Sequence, residues 1–192
     1  MLEQGKYYHI YNRGNNREDL FKEEKNYEYF LRLYAYHLDP VADTFAYCLL
    51  KNHFHLLIKV KEHLPGLQNL EDVLPASKAF SNLFNAYTKS INKAYKRSGS
   101  LFQKNFRRIE VSSDKYFTRL IHYIHFNPQK HRFTEDFRTY PHSSYQLVLS
   151  EKQTNLQRAK IIDWFGGRND FIEYHKNVSA GKEILEYIGE DG

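Results

Sequence analysis

The sequence predicts an α+β fold: a ferredoxin-like, split βαβ antiparallel sheet with two helices on one face, a further helix on the other, and a helical C-terminal extension. Three observations carry the prediction. Strand-like and helix-like stretches follow the order β-α-β-β-α-β and then a helix. The stretch His53 to Val60 splits into an apolar face and a face bearing two histidines. Hydrophobic residues make up 41% of the 192, enough for one good-sized core.

The elements follow in order. Lys6 to Asn12 is aromatic and β-branched enough for a strand, and Arg13, Gly14, Asn15 and Asn16 break it. From Lys25 to Leu38, apolar residues recur at helical spacing, and Asp39-Pro40 stops the run. Thr44 to Leu50 is apolar on both faces, as an internal strand is. Lys51 and Asn52 connect it to the strand His53 to Val60. Glu62 to Leu74 reads as a loop, and a long amphipathic helix spans Ala76 to Arg97. Phe106 to Val111 is a fourth strand. Ser112 or Ser113 can cap a helix running to about Phe126. Pro128 disfavours helical geometry at Asn127, which places that residue at the helix end.

The composition becomes more polar beyond Ser150. This divides the chain into a main domain, 1–150, and a helical extension, 151–192. Leu156 to Phe165 and Asp170 to Lys176 are candidate helices there, the first ended by Gly166 and Gly167.

Bulk composition narrows the function classes. The formal net charge of +5 suits a polyanionic partner. Aromatic residues reach 16%, with 16 Tyr and 14 Phe, and such rings fill cores or stack on unpaired bases. For Tyr8 and Phe102, both are open and core packing is the simpler role. The single cysteine, Cys48, excludes a disulfide framework. No apolar run approaches a membrane span and Met1 to Tyr11 lacks a cleavage-site pattern, so a cytoplasmic protein with no membrane partner is expected.

Alternation along the third strand puts Phe54, Leu56, Ile58 and Val60 under the helix layer and His53, His55, Leu57 and Lys59 on the opposite face. Two imidazoles at i and i+2 can converge on one ion. The plain reading is two sheet histidines with no ligand. Downstream, Tyr123 and Asn127 lie four apart and share a helix face. That helix packs on the open side of the sheet, where both can look at an ion held by His53 and His55.

These residues resemble the single-tyrosine HUH transposases, most closely the REP-associated tyrosine transposase branch. Tyr8-His9-Ile10 leads to Asn12-Arg13-Gly14-Asn15-Asn16, similar to the family's opening strand and turn. Lys51-Asn52-His53-Phe54-His55 matches the histidine motif, with Lys51 where relatives often carry proline. Gly99-Ser100-Leu101-Phe102-Gln103 with Phe106 matches the entry to the fourth strand. Tyr123-Ile124-His125-Phe126-Asn127-Pro128 matches the nucleophile helix, and Tyr140-Pro141-His142-Ser143-Ser144-Tyr145 a trailing motif.

The resemblance implies a metal-dependent enzyme that cleaves and rejoins single-stranded, hairpin-associated DNA through a 5′-phosphotyrosine link. Tyr123 is then the nucleophile. His53 and His55 are metal ligands, and Asn127 is a third ligand or orients Tyr123. Magnesium is the family expectation, while two imidazoles suit manganese, so Mg²⁺ or Mn²⁺ is the expected cofactor. Expected DNA contacts are Arg13, Gln103, Lys104, Arg107, Arg108, Lys130 and Arg132, with Lys89, Lys93 and Lys96 if the long helix faces the groove. Family members act as dimers that exchange active-site parts or as monomers, and both remain open. Three alternatives stand beside this reading: a hairpin-binding protein without turnover, a zinc hydrolase whose third ligand is His122 or His125, and a replication initiator or relaxase.

Overall fold

The computed structural model describes residues 1–62 and 75–177. Most of the expected loop Glu62 to Leu74, and positions 178–192 of the extension, lie outside the described residues. Four strands, β1 (Tyr7–Arg13), β2 (Ala42–Leu50), β3 (His53–Val60) and β4 (Arg107–Val111), form one antiparallel sheet in the order β2-β3-β1-β4. The helices are α1 (Glu24–Leu38), α2 (Ala76–Ala94), α3 (Asp114–Lys130), α4 (Tyr145–Leu149), α5 (Arg158–Trp164) and α6 (Arg168–Asn177). The α+β, ferredoxin-like expectation is met, with helix and strand ends shifted by a few residues.

Helices α1 and α2 cover one face because their apolar stripes meet the inward side chains of β3. The Phe54 ring lies 5.5 Å from Phe30 of α1 and 5.8 Å from Phe84 of α2. A reciprocal cap between Glu23 and Asn26 starts α1. Tyr8 and Phe102 are buried in this core, so neither offers a face for base stacking.

Helix α3 covers the other face. Ser113 caps it by accepting the Tyr116 N–H at 3.3 Å. Phe117 anchors it edge-on against Tyr7 and Phe45, 5.3 and 5.4 Å away. The expected stop at Asn127 is corrected: α3 passes through Asn127 and Pro128 to Lys130. Proline removes one helical donor and crowds the preceding turn. Against that, Ile121, Ile124 and Pro128 are all buried along the helix, and the Asn127 carbonyl still accepts the His131 N–H at 3.0 Å. Tertiary packing outweighs the local preference.

The extension docks onto α3. Trp164 of α5 stacks on Phe117 at 3.8 Å, and Phe171 and His175 of α6 are buried. Gly166 and Gly167 end α5 with φ of +86° and +132°, a region that glycine enters without strain. Among the described residues, no helix is long and apolar enough to cross a membrane.

Candidate active site

The site lies between the outer face of β3 and β1 and the C-terminal half of α3. Strand β3 begins directly after the turn at Lys51-Asn52, and that turn sets the first histidine. His53 Nδ1 donates to Asn52 Oδ1 at 2.7 Å. An amide oxygen only accepts, so the His53 proton sits on Nδ1 and the lone pair on Nε2. His55 Nδ1 lies 3.0 Å from Nε2 of His9, a wholly buried residue on β1. When the proton of that contact belongs to His55, its Nε2 also carries a lone pair.

The other polar atoms of the cluster lack partners. His9 Nδ1, His53 Nε2, His55 Nε2 and both side-chain polar atoms of Asn127 are buried without a hydrogen bond. Each such atom costs about 1–3 kcal/mol. Their concentration at one spot marks a place built for something that supplies the missing interactions. Asn127 is fully buried beside the His53 ring, and it favours that ring's charged form without making a hydrogen bond of good geometry.

Tyr123 joins them from its own chain. Its ring stands edge-on to His55 at 5.6 Å and to His9 at 6.3 Å. Lys130 Nζ is 3.5 Å from the phenol oxygen and 4.9 Å from the ring centroid. The His131 ring is 4.8 Å from that of His53. Tyr123 is only 1% exposed, so the phenol is enclosed as well as adjacent.

Burial fixes the charge state. It pushes His53 down to about 3, with the His131 and Arg13 charges acting in the same direction. It holds His55 well below the ordinary histidine value, with His9 and His53 adding to the effect. Both rings are therefore neutral at pH 7, the form that ligates metal. No cluster of three His, Cys, Asp or Glu suited to a metal exists among the described residues. The donors are two imidazoles and an amide. That set fits a divalent ion that takes its remaining ligands from phosphate oxygen.

A second histidine cluster lies behind α3. His125 Nδ1 is 2.9 Å from His175 Nε2, and His125 Nε2 is 2.8 Å from Ser144 Oγ. His175 Nδ1 donates to the Phe171 carbonyl at 2.8 Å. His122 packs 5.2 Å from the His175 ring. The zinc-hydrolase alternative is thereby corrected: His122 and His125 face α6, not the β3 histidines, and cannot complete their ligand set.

The expected DNA contacts divide by face. Arg13 is the register partner of His53, and its charge acts on that ring. Arg107 pairs with Tyr11 on the histidine face. Arg108 pairs with Ile10 on the other face and, with Gln103 and Lys104, lines a cleft against α2. Lys130 sits at the phenol, and Arg132 is exposed just past α3. Lys89, Lys93 and Lys96 are exposed on the α2 layer, which the sheet separates from the histidine face.

Sequence reasoning missed the roles of His9 and Asn52. Alternation on β1 puts His9 on a face with Tyr7, Tyr11 and Arg13, but only the β1–β3 register brings it against His55.

The site thus sets paired histidines of an antiparallel ferredoxin-like sheet opposite a helix-borne tyrosine, and comparison with known proteins finds relatives of this fold. A Haemophilus influenzae protein named as a REP-associated tyrosine transposase is 28% identical over 106 residues, covering 54% of this chain and 58% of that protein. The match thus spans little more than half of the curated relative. A solved structure of a REP-associated tyrosine transposase bound to a REP hairpin aligns with a TM-score of 0.63 at 14% identity, covering 79% of this chain and 83% of that one. No family model matches the chain. The resemblance read from the motifs is borne out: the chain is similar in sequence to a REP-associated tyrosine transposase and has the fold of one.

Proposed function

We propose that the protein cleaves and rejoins single-stranded DNA beside a hairpin, with Tyr123 as nucleophile and a divalent metal, Mg²⁺ or Mn²⁺, held by His53, His55 and Asn127. The observation that carries this reading is the convergence of unpartnered buried donors on the two rings next to the Tyr123 phenol. The named relatives support a hairpin-DNA transposase over other uses of the fold. When bound, the metal withdraws charge from the scissile phosphate.

The chain's own residues supply the rest. Asn52 and His9 orient the two ligand rings. Tyr123 attacks phosphorus in line: the phenol oxygen–phosphorus bond forms, the bond to the 3′ oxygen breaks, and the phenol proton passes to solvent while the 3′ oxygen takes one up. The neutral phenol is a weak nucleophile, and the Lys130 ammonium offsets negative charge that develops on its oxygen. The products are a 5′-phosphotyrosine and a free 3′-hydroxyl. A second strand's 3′-hydroxyl reverses the step and joins new ends. Because Tyr123 is enclosed, DNA entry displaces side chains over it, Lys130 among them.

That enclosure favours a second reading, hairpin binding without turnover. One experiment separates the two. The protein is incubated with labelled single-stranded hairpin DNA and Mn²⁺ and then denatured. A protein–DNA band that resists denaturant and disappears in Tyr123→Phe, with binding retained, supports the enzyme. Binding with no such band in the native sequence supports the second reading.

A further inference from the structure

A cavity of about 280 Å³ lies at the β2 edge of the sheet, between α1, β2 and the segment that enters α5. An apolar cavity of about 150 Å³ already holds benzene, so a molecule of one ring with a short tail fits. Tyr47 pairs in register with Leu56, and both point under the helix layer, away from the histidine face. Together with Phe30, Tyr34, Leu147 and Leu156 they give the cavity aromatic and apolar walls. The segment from the extension is pinned along the strand: Leu156 bridges Thr44, and the Gln157 N–H donates to the Thr44 carbonyl at 2.9 Å. The cavity is thus preformed at the junction of main domain and extension, and such junctions are where small-molecule sites concentrate.

Two polar groups stand at its opposite ends. Tyr47 is 8% exposed, and its phenol makes no hydrogen bond among the described residues. Burial pushes that phenol up to about 12, so it is a neutral donor. Asp39, half-buried, is the C-cap of α1, and a helix C-terminus favours positive charge. Its Oδ2 accepts the Asn155 amide at 2.5 Å. Burial still outweighs that bond and the Lys61 charge, and holds the carboxyl above its ordinary value. Lys61 itself donates to the Asp39 main-chain carbonyl and lies 3.8 Å from the Asp43 carboxylate. Asn155 precedes Leu156, which puts Asp39 at the Thr44 end of the cavity. From Thr44 to Tyr47 the strand advances about 10 Å. The Tyr34 and Thr44 hydroxyls between them bond each other at 2.7 Å.

We propose that this cavity binds a small arylalkylamine with a hydroxyl group on its ring. The ammonium pairs with the Asp39 carboxylate in a charge-assisted hydrogen bond. The ring packs among Phe30, Tyr34 and Leu56, where aromatic neighbours prefer edge or offset contacts. The ring hydroxyl reaches the Tyr47 phenol at the far end. Charge complementarity selects the cation: a carboxylate ligand would meet Asp39 as a like charge, and a neutral one would leave the buried carboxylate uncompensated. The sheet separates this cavity from the histidines, so the assignment is independent of the DNA-cleavage reading.

The test titrates the full-length protein with tyramine by calorimetry, beside phenethylamine, para-ethylphenol and para-hydroxyphenylpropionate. Tyramine should bind with a Kd of about 1 mM or tighter, and para-ethylphenol about tenfold more weakly. The propionate should not bind. Asp39→Asn, which keeps a partner for Asn155, should bring tyramine to the level of para-ethylphenol. Tyr47→Phe should bring it to the level of phenethylamine. Ala35→Phe fills the cavity from a half-buried helix position and should abolish binding, with circular dichroism checking the fold of each variant. Where a variant does not fold, the ranking of the four probes on the native protein decides. No saturable binding of tyramine up to about 10 mM would overturn the site, as would binding that survives both Asp39→Asn and Ala35→Phe. Para-ethylphenol or the propionate binding as tightly as tyramine would overturn the choice of an amine.

Discussion

Two groups of buried histidines flank α3 and follow opposite rules. Behind the helix, His125 uses both ring nitrogens, on His175 and Ser144, and His175 uses both of its own, on His125 and Phe171. In front of it, His9, His53 and His55 each use one nitrogen and leave the other buried without a partner. Burial depresses proton affinity in both groups, so depressed basicity does not separate a binding site from a structural joint. Hydrogen-bond satisfaction does. The rear cluster is a closed circuit that ties the C-terminal extension to α3, and each ring of the front cluster keeps one buried nitrogen without a protein partner.

The sharpest way to break this contrast is to remove one member from each side. His53→Ala should lower the rate of covalent adduct formation by at least about 10²–10³-fold, as loss of one preorganised charge-stabilising group does, with little change in thermal midpoint. His125→Leu should behave in reverse. It strands His175 Nε2 and leaves the Ser144 hydroxyl with only the Tyr47 N–H it accepts, and should cost about 3 kcal/mol in denaturant unfolding, while metal binding stays intact.

A finer test concerns His9, which contacts His55 rather than any ligand. His9→Leu removes the ring that His55 Nδ1 meets at 3.0 Å. It should weaken Mn²⁺ binding about 10–100-fold, the usual effect of losing an outer-shell partner. His9→Gln, which restores an acceptor, should recover part of that loss in the same calorimetric titration.

A pH dependence follows from the buried histidines of both clusters, and the rear one shows its direction. Burial lowers His122 to about 4 and His175 to about 3 in the folded chain, against about 6.5 when unfolded. The unfolded chain therefore takes up protons first on acidification. Stability should be full above about pH 6.5 and decline progressively toward pH 3–4. Melting curves across that range check it, and His122→Phe should flatten the slope.

Much of this was legible in the sequence, and the reasons for the rest are physical. Alternation alone assigned both faces of β3, and four-residue spacing put Tyr123 and Asn127 on one side of α3. Local rules failed at Asn127-Pro128, where packed apolar neighbours carry the helix past a residue that opposes it. His9 and Asn52 were invisible as site members because their meaning lies in long-range register and in a turn, not in periodicity. Lys89, Lys93 and Lys96, expected as contacts only if the long helix faced the groove, lie beyond the sheet from the histidines.

The most direct measurement is Mn²⁺ binding, followed by electron paramagnetic resonance in the presence of a non-cleavable single-stranded hairpin, for the native sequence and four single variants. The account predicts that His53→Ala and His55→Ala abolish the bound-metal signal, while His122→Ala and His125→Ala, provided they remain folded, retain it. A native protein that binds no Mn²⁺, or a signal lost from the rear-cluster variants and kept in the front ones, would contradict it.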